Sequence, residues 1–183
     1  MKLDELIVDA ADALFNLDRS GIPFGNYQPG LGPYGETKLV AAVAKHLNAL
    51  PAYGAAAVTK RKPDLLLPGY WALEFKIARP FGDNGYEAEN WSVNVLHPYA
   101  GDVSLIGDCL KLQKLAGPER KGAVVIGYEH SPPKISLTPL FEAFELVASQ
   151  INRIRLGPRV EVVRDGLRHP VHQRLRMAAW EVS

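Results

Sequence analysis

Asp64, Glu74 and Lys76 are the residues whose types and spacing best suit chemistry on a phosphate group. Asp64 begins an apolar run, and a Pro-Gly turn between it and Glu74 predicts a hairpin that brings the two carboxylates together. In an extended strand alternate side chains share a face, so Glu74 and Lys76 lie side by side, opposite the bulky apolar residues. The pattern predicts two acids and one ammonium group on one face of a sheet.

Two carboxylates held together in a partly buried position repel each other and lose hydration, at a cost on the order of several kcal/mol per ion. A divalent cation removes both problems, and Asp and Glu oxygens with water suit Mg²⁺, for which Mn²⁺ can substitute. Lys76 beside such an ion can stabilise developing negative charge or help to deprotonate an attacking water. The same Glu-x-Lys pattern is also common on ordinary solvated strands.

Glu36 is a third carboxylate that the pattern directs toward this face. At about 100° per residue it falls at the centre of the apolar stripe of a helix predicted over 36–50. Its place in the first turn also suits a simple helix-capping role, although capping does not explain its position in the buried stripe. Residues 30–35 before it spell G-x-G-x-x-G, but prolines break the preceding segment, so no strand and no nucleotide loop are predicted there.

Gln113 falls near the centre of the apolar side of a second helix, predicted from about 102 to 116. A buried amide without partners costs about 1–3 kcal/mol, so this side chain must find hydrogen bonds. Two uses are open: it bonds a catalytic carboxylate or a metal-bound water, or it satisfies a nearby backbone group.

The loops offer candidate substrate contacts. Lys60, Arg61 and Lys62 precede Asp64 and are candidates for contacts to phosphate, or else form a solvated turn. His97 lies in a loop before the second helix and is a candidate phosphate contact, or else a turn or packing residue. The three histidines beyond residue 100 show no metal-ligand spacing to a nearby acid and are assigned no role.

After an N-terminal helix, the predicted elements follow the order helix, three strands, helix, strand, then a further helix and a hairpin. The predicted ranges are 2–17 and 36–50 (helices), 54–60, 63–67 and 70–78 (strands), 102–116 (helix), 121–130 (strand), 137–154 (helix) and a hairpin around 165–166. This order predicts an α/β fold with a mixed sheet between helices. We expect a single domain, with an N-terminal helix and loop over 1–35, a core over 36–130 and an extension over 131–183.

Composition and charge narrow the classes further. The one cysteine excludes an internal disulfide and a thiolate metal site. No signal peptide or membrane anchor is readable, so we expect a cytoplasmic protein without membrane contact. From Arg153 onward seven arginines stand against three acids, a balance of +4 in a chain of net +1. This tail is a candidate face for a polyanion, or else a solvated surface or a dimer contact.

The chain resembles the PD-(D/E)xK nuclease superfamily. Pro63 and Asp64, nine intervening residues, and then Glu74-Phe75-Lys76 match its motif, and they follow a helix that carries an inward glutamate. The resemblance covers roughly 36–130 and implies a restriction-endonuclease-like core of order α-β-β-β-α-β. The C-terminal helix and hairpin would be additions to that core.

The resemblance also implies roles for individual residues. Asp64 and Glu74 would be metal ligands, Lys76 the catalytic lysine, and Glu36 a further or water-mediated ligand. Some members carry a glutamine on the helix after the motif, which Gln113 would match. We therefore expect a Mg²⁺-dependent deoxyribonuclease of the endonuclease type that acts on DNA.

Two further expectations accompany this reading. Cutting both strands of a duplex usually needs two active sites, which favours a homodimer. The alternative from another class is a catalytically silent nuclease-like protein that binds nucleic acid or a partner through its basic tail.

Overall fold

The computed structural model describes residues 1–22, 26, 29–98 and 104–183. Its helices are α1 Leu3–Arg19, α2 Glu36–Ala49, α3 Val93–Leu96, α4 Leu105–Gln113 and α5 Thr138–Gln150, with a 3₁₀ turn at Pro51–Tyr53. Its strands are β1 Val58–Thr59, β2 Leu65–Leu67, β3 Trp71–Ala78, β4 Arg120–Glu129, β5 Val160–Asp165 and β6 Arg174–Val182.

The strands form one mixed six-stranded sheet in the order β1-β2-β3-β4-β6-β5. The strand β2 runs antiparallel to both β1 and β3, β3 and β4 are parallel, and β6 runs antiparallel to both of its neighbours. A parallel pair needs a crossover connection, and here the segment that contains α4 provides it. The protein is therefore a mixed α/β fold whose parallel pair lies at the centre of the sheet.

Each face of the sheet is covered by its own hydrophobic core. Leu73 and Phe75 of β3 point into the core that α1 and α2 share, whereas Ala72 and Ala78 point into the core that α4 and α5 share. The predicted alternation along β3 is therefore confirmed. Because the residues on the α4 side are small, room remains there for polar side chains between strand and helix.

The predicted elements are present, with shifted bounds. β1 is only two residues long, α5 ends four residues earlier than predicted, and the short helix α3 was not predicted. The predicted start of the second helix at 102–103 lies outside the described residues; α4 begins at Leu105, where the Ser104 hydroxyl accepts the Gly107 N–H at 3.1 Å. The second strand of the predicted hairpin, β6, is a buried inner strand of the sheet, and small residues at 178 and 179 let it pack closely.

Acids from several elements pair with some of the tail arginines, so the candidate basic face carries less free charge than the sequence suggests. Four of the seven form ion pairs: Arg159 with Glu145 and Glu161, Arg164 with Asp12, Arg174 with Asp165, and Arg176 with Glu161 and Glu129. Within residues 1–22, 29–98 and 104–183, no helix is both long enough and apolar enough to cross a membrane.

Candidate active site

The β2–β3 hairpin brings Asp64 and Glu74 together, as the sequence predicted. Leu65 pairs with Leu73 in the antiparallel ladder, so one step further along it Asp64 faces Glu74. The Asp64 carboxylate accepts the Phe75 N–H at 2.8 Å, which fixes its orientation against β3. Two acids thus meet at one point of the sheet.

Burial makes it energetically unfavourable for both of these acids to be ionised. Glu74 is only 6% exposed. Its burial first, and then the charge and hydrogen bond of Asp64, raise the pKa of Glu74 to about 9. Without a cation the two carboxyl groups therefore share a proton at neutral pH.

A divalent cation fits this donor set. The two carboxylates are hard oxygen ligands, one of them fixed by a backbone N–H, and a bound cation would replace the shared proton. Among the residues described, Glu36, Asp64 and Glu74 do not form a group whose ligand atoms all lie within 4.8 Å of one another. Asp64 and Glu74 are therefore the direct candidates to hold Mg²⁺ or Mn²⁺, and Glu36 stands further out.

Lys76 is held between two acids. Its Nζ lies 2.8 Å from Oδ2 of Asp108 and 3.5 Å from Oε1 of Glu36. Burial alone would lower the pKa of Lys76, but the hydrogen bond to Asp108 and the charge of Glu36 outweigh it and raise the pKa. The side chain is therefore a permanent cation at neutral pH.

Glu36 reaches the site from the first turn of α2, as its place in the apolar stripe predicted. Burial raises the pKa of Glu36, although the Lys76 ammonium opposes this. The helix carries it to the sheet because Leu39, Val40 and Val43 on the same stripe are buried against the core.

Asp108 is the site residue that the sequence reasoning missed. It lies on α4, is 3% exposed, and also contacts Lys111 Nζ at 2.7 Å. A signal was available, because at about 100° per residue Asp108 falls only about 40° beyond Leu112 at the edge of the apolar stripe. The structure adds it as the principal partner of Lys76.

Gln113 does not lie at this site. Its amide donates hydrogen bonds to the carbonyls of Arg153 and Ser183, the second at 3.0 Å. It is five residues beyond Asp108, about 7.5 Å along the helix axis, so its side chain leaves the helix beside the C-terminal segment. Of the two uses left open by the sequence, the structure therefore shows the backbone one.

The predicted substrate-contact residues differ in how exposed their side chains are. Lys60, Arg61 and Lys62 are exposed, in the segment that leads to Asp64. His97 is half-buried, and its carbonyl accepts the Ser104 hydroxyl at 2.6 Å, which joins the end of α3 to the start of α4.

A cleft of about 380 Å³ opens beside Glu36. Ile77, Arg79, Trp91 and Asn94 line it, and Arg79 is fixed by donating a hydrogen bond to the Tyr34 carbonyl. Trp91 thus lines the same cleft as Glu36, whereas Trp71 is fully buried and is not placed to stack on a base. The cleft offers an arginine and an aromatic ring to a substrate that reaches the site.

The G-x-G-x-x-G segment serves packing, not phosphate binding. A Cβ on Gly30 would lie 2.7 Å from Oδ1 of Asp18, and one on Gly32 would lie 2.2 Å from Nδ1 of His172. Side chains at these two positions would collide with buried polar groups, so glycine is required. The loop passes over these groups and enters α2 at Glu36.

No family model matches the chain, and no curated protein and no solved structure matches it either.

Proposed function

We propose that the protein is a Mg²⁺-dependent deoxyribonuclease of the endonuclease type, with a restriction-endonuclease-like core. The observation that carries the proposal is the meeting of Asp64 and Glu74 on adjacent strands, with Lys76 beside them and fixed by ion pairs. The helix, three strands, helix and strand that follow one another from α2 to β4 also agree with the order that the resemblance implies, apart from the added α3.

The roles of the residues follow from their charges. Asp64 and Glu74 hold the cation, which when bound supplies positive charge for the phosphate and lowers the pKa of water. Lys76 keeps its proton at neutral pH, so it acts as a donor to a phosphate oxygen and not as a base. Its ion pairs with Asp108 and Glu36 keep the ammonium group pointed at the site before substrate arrives.

The substrate reaches this centre from the side of the cleft. Arg79 and Trp91 would contact the phosphate backbone and a base, and the exposed Lys60, Arg61 and Lys62 would contact phosphates further along the strand. Cleavage of both strands of a duplex asks for two such centres, so the proposal includes a homodimer on DNA.

A cleavage assay tests the proposal. Purified protein is incubated with supercoiled plasmid, linear duplex and single-stranded DNA in Mg²⁺, Mn²⁺ or EDTA. We expect metal-dependent cleavage that falls on the order of a hundredfold or more in Asp64→Asn, Glu74→Gln and Lys76→Ala, as for loss of a charge-stabilising group. Glu142→Gln and Lys114→Ala, which change exposed residues, serve as matched controls.

Two outcomes would contradict the proposal. Cleavage at the wild-type rate in Lys76→Ala or Asp64→Asn would mean that the activity comes from another site or a contaminant. DNA binding that is the same with and without metal, and never followed by cleavage, would favour the silent binding protein instead. Four of the seven tail arginines are already paired with acids, so that alternative would rely on the exposed Arg153, Arg155 and Arg168.

A further inference from the structure

An aspartate and two histidines from distant segments form a cluster that shares no residue with the candidate active site. One ligand atom each from Asp83, His169 and His172 lies within 4.8 Å of the others. The two histidines are 0% and 1% exposed, and Asp83 is partly exposed. No spacing in the sequence predicted an acid beside these histidines. The acid lies in the loop after β3, 86 residues before His169.

The facing polar atoms of this cluster lack hydrogen bonds. In the part of the chain that the structure describes, Oδ1 of Asp83, Nε2 of His169 and Nδ1 of His172 are buried and have no hydrogen-bond partner. Buried polar atoms are nearly always satisfied, so three unsatisfied atoms on residues that lie this close together, two of them with stacked rings, are an exception that a bound ligand would explain.

The hydrogen bonding of His172 fixes which of its nitrogens is available. Its Nε2 lies 2.9 Å from the Phe81 carbonyl, and because a carbonyl only accepts, Nε2 must carry the proton. Nδ1 therefore presents a bare lone pair, 3.5 Å from the Asp83 carboxylate oxygen. Two acceptors that face each other without a proton between them repel, and a bound cation would remove that repulsion.

The spacing suits a transition-metal ion. With metal–ligand bonds of about 2.0–2.1 Å, two ligand atoms of a tetrahedral site lie about 3.3 Å apart, close to the observed 3.5 Å. Two imidazole nitrogens and one carboxylate are a ligand set for Zn²⁺ and similar ions, not for Mg²⁺, which prefers oxygen. The carbonyl of Phe81 supplies the outer hydrogen bond that commonly orients a ligating histidine.

His169 must adjust to take part. Its Nδ1 accepts the N–H groups of Val171 and His172, each at 3.2 Å, so its neutral ring carries the proton on Nε2. Ligation through Nε2 moves that proton to Nδ1 and gives up two long hydrogen bonds. A metal–nitrogen bond more than replaces them, and such proton movement accompanies metal binding to histidine in general.

We propose that Asp83, His169 and His172 form a binding site for one divalent transition-metal ion of the Zn²⁺ class, using none of the residues of the candidate active site. The bound ion joins the loop after β3 to the segment before β6. Gly32, against which the ring of His172 packs, lies four residues before Glu36, so the site also supports the loop that positions this acid. The partial exposure of Asp83 gives the ion an entry path.

Metal uptake by tag-free protein tests the proposal. Protein stripped with chelator is titrated with Zn²⁺ by calorimetry and with Co²⁺ by visible absorption, which reports nitrogen and oxygen ligation directly. In Glu74→Gln, whose candidate active site has lost a carboxylate, we expect one ion per chain to be retained at the histidine cluster. We expect affinity to fall on the order of a hundredfold or more in Asp83→Asn and His172→Gln, since loss of an outer hydrogen bond alone costs 10–100-fold. His130→Gln, which removes another buried histidine, should bind as the wild type does.

Several results would overturn the proposal. The proposal is wrong if the wild type takes up no ion stoichiometrically, if the wild type and Asp83→Asn bind with equal affinity, or if Glu74→Gln loses uptake. Asp83→Asn keeps the shape of a partly exposed side chain, so it remains informative even if His172→Gln does not fold. Circular dichroism in EDTA establishes that each variant is folded before the titration.

Discussion

Glu74→Gln should stabilise the metal-free protein at neutral and higher pH, although it removes a residue of the candidate active site. Burial and the neighbouring Asp64 raise the pKa of Glu74 to about 9, from an ordinary value of 4.5. The folded state therefore holds a proton that the unfolded state releases. Glutamine has the shape of the protonated acid without its titration, so it avoids this penalty.

Proton linkage gives the direction and the size of this difference in stability between the wild type and Glu74→Gln. Because the folded pKa is the higher one, the contribution of Glu74 to stability is fully present below pH 4.5 and is lost as pH rises toward 9. The loss is about 1.4 kcal/mol for each pH unit in that window. From pH 5 to pH 8 the wild type should lose on the order of 4 kcal/mol relative to Glu74→Gln.

Urea unfolding in EDTA at pH 5, 6.5 and 8, followed by tryptophan fluorescence, measures the difference. The other titrating groups occur in both proteins and cancel in the comparison, and Glu142→Gln controls for loss of an exposed acid. Adding Ca²⁺ at pH 8 should then raise the stability of the wild type, as a ligand of the folded state must, and leave Glu74→Gln nearly unchanged. The two effects together separate a protonated pair from a cation site.

Parallel pH dependences of stability in the wild type and in Glu74→Gln would refute this reasoning. Such a result would mean that Glu74 is ionised in the metal-free fold and that its charge is already compensated by protein groups. Equal stabilisation of both proteins by Ca²⁺ would instead mean that the cation binds elsewhere.

Two further predictions concern neighbouring groups. Asp108→Ala leaves the Lys76 ammonium without its closest buried partner and should cost about 3 kcal/mol of unfolding free energy. The double variant Asp108→Ala/Lys76→Met also removes the unpaired charge and should recover part of this loss. Equal stability of the single and double variants in urea would contradict this. Gly32→Ala places a methyl group 2.2 Å from Nδ1 of His172 and should cost about 1–3 kcal/mol in thermal unfolding, whereas Gly35→Ala, with nothing within 4 Å, should cost less than 1 kcal/mol. Equal melting temperatures for the two glycine variants would show that the loop moves aside freely.

Local periodicity was enough to predict the parts of the site that lie on regular elements. Alternation along β3 predicted that Glu74 and Lys76 share a face, and the turn before β3 predicted that Asp64 lies close to Glu74. The apolar stripe of α2 gave the inward direction of Glu36. In each case the neighbours along the chain determine where the side chain points, so a single sequence contains the information.

The residues that the sequence missed, or whose use it left open, depend on contacts between distant segments. Asp108 and Gln113 lie on the same short helix, and only the docking of α4 decides that the first meets Lys76 while the second meets backbone at the C-terminal segment. The histidine cluster draws its acid from Asp83, so no spacing within the tail could reveal it. Likewise, the tail arginines looked free because their acids come from other elements or from the neighbouring strand.

The position of β6 between β4 and β5 has a consequence for synthesis in the cell. β4 is paired along nine residues with β6, whose first residue, Arg174, is made 45 residues after Glu129, the last residue of β4. At about 5–20 residues per second, β4 remains an open, apolar strand edge for several seconds on the ribosome. A nascent chain cut short within 131–173 would keep that edge exposed. We expect such fragments, including the isolated segment 36–130, to aggregate and to require chaperones.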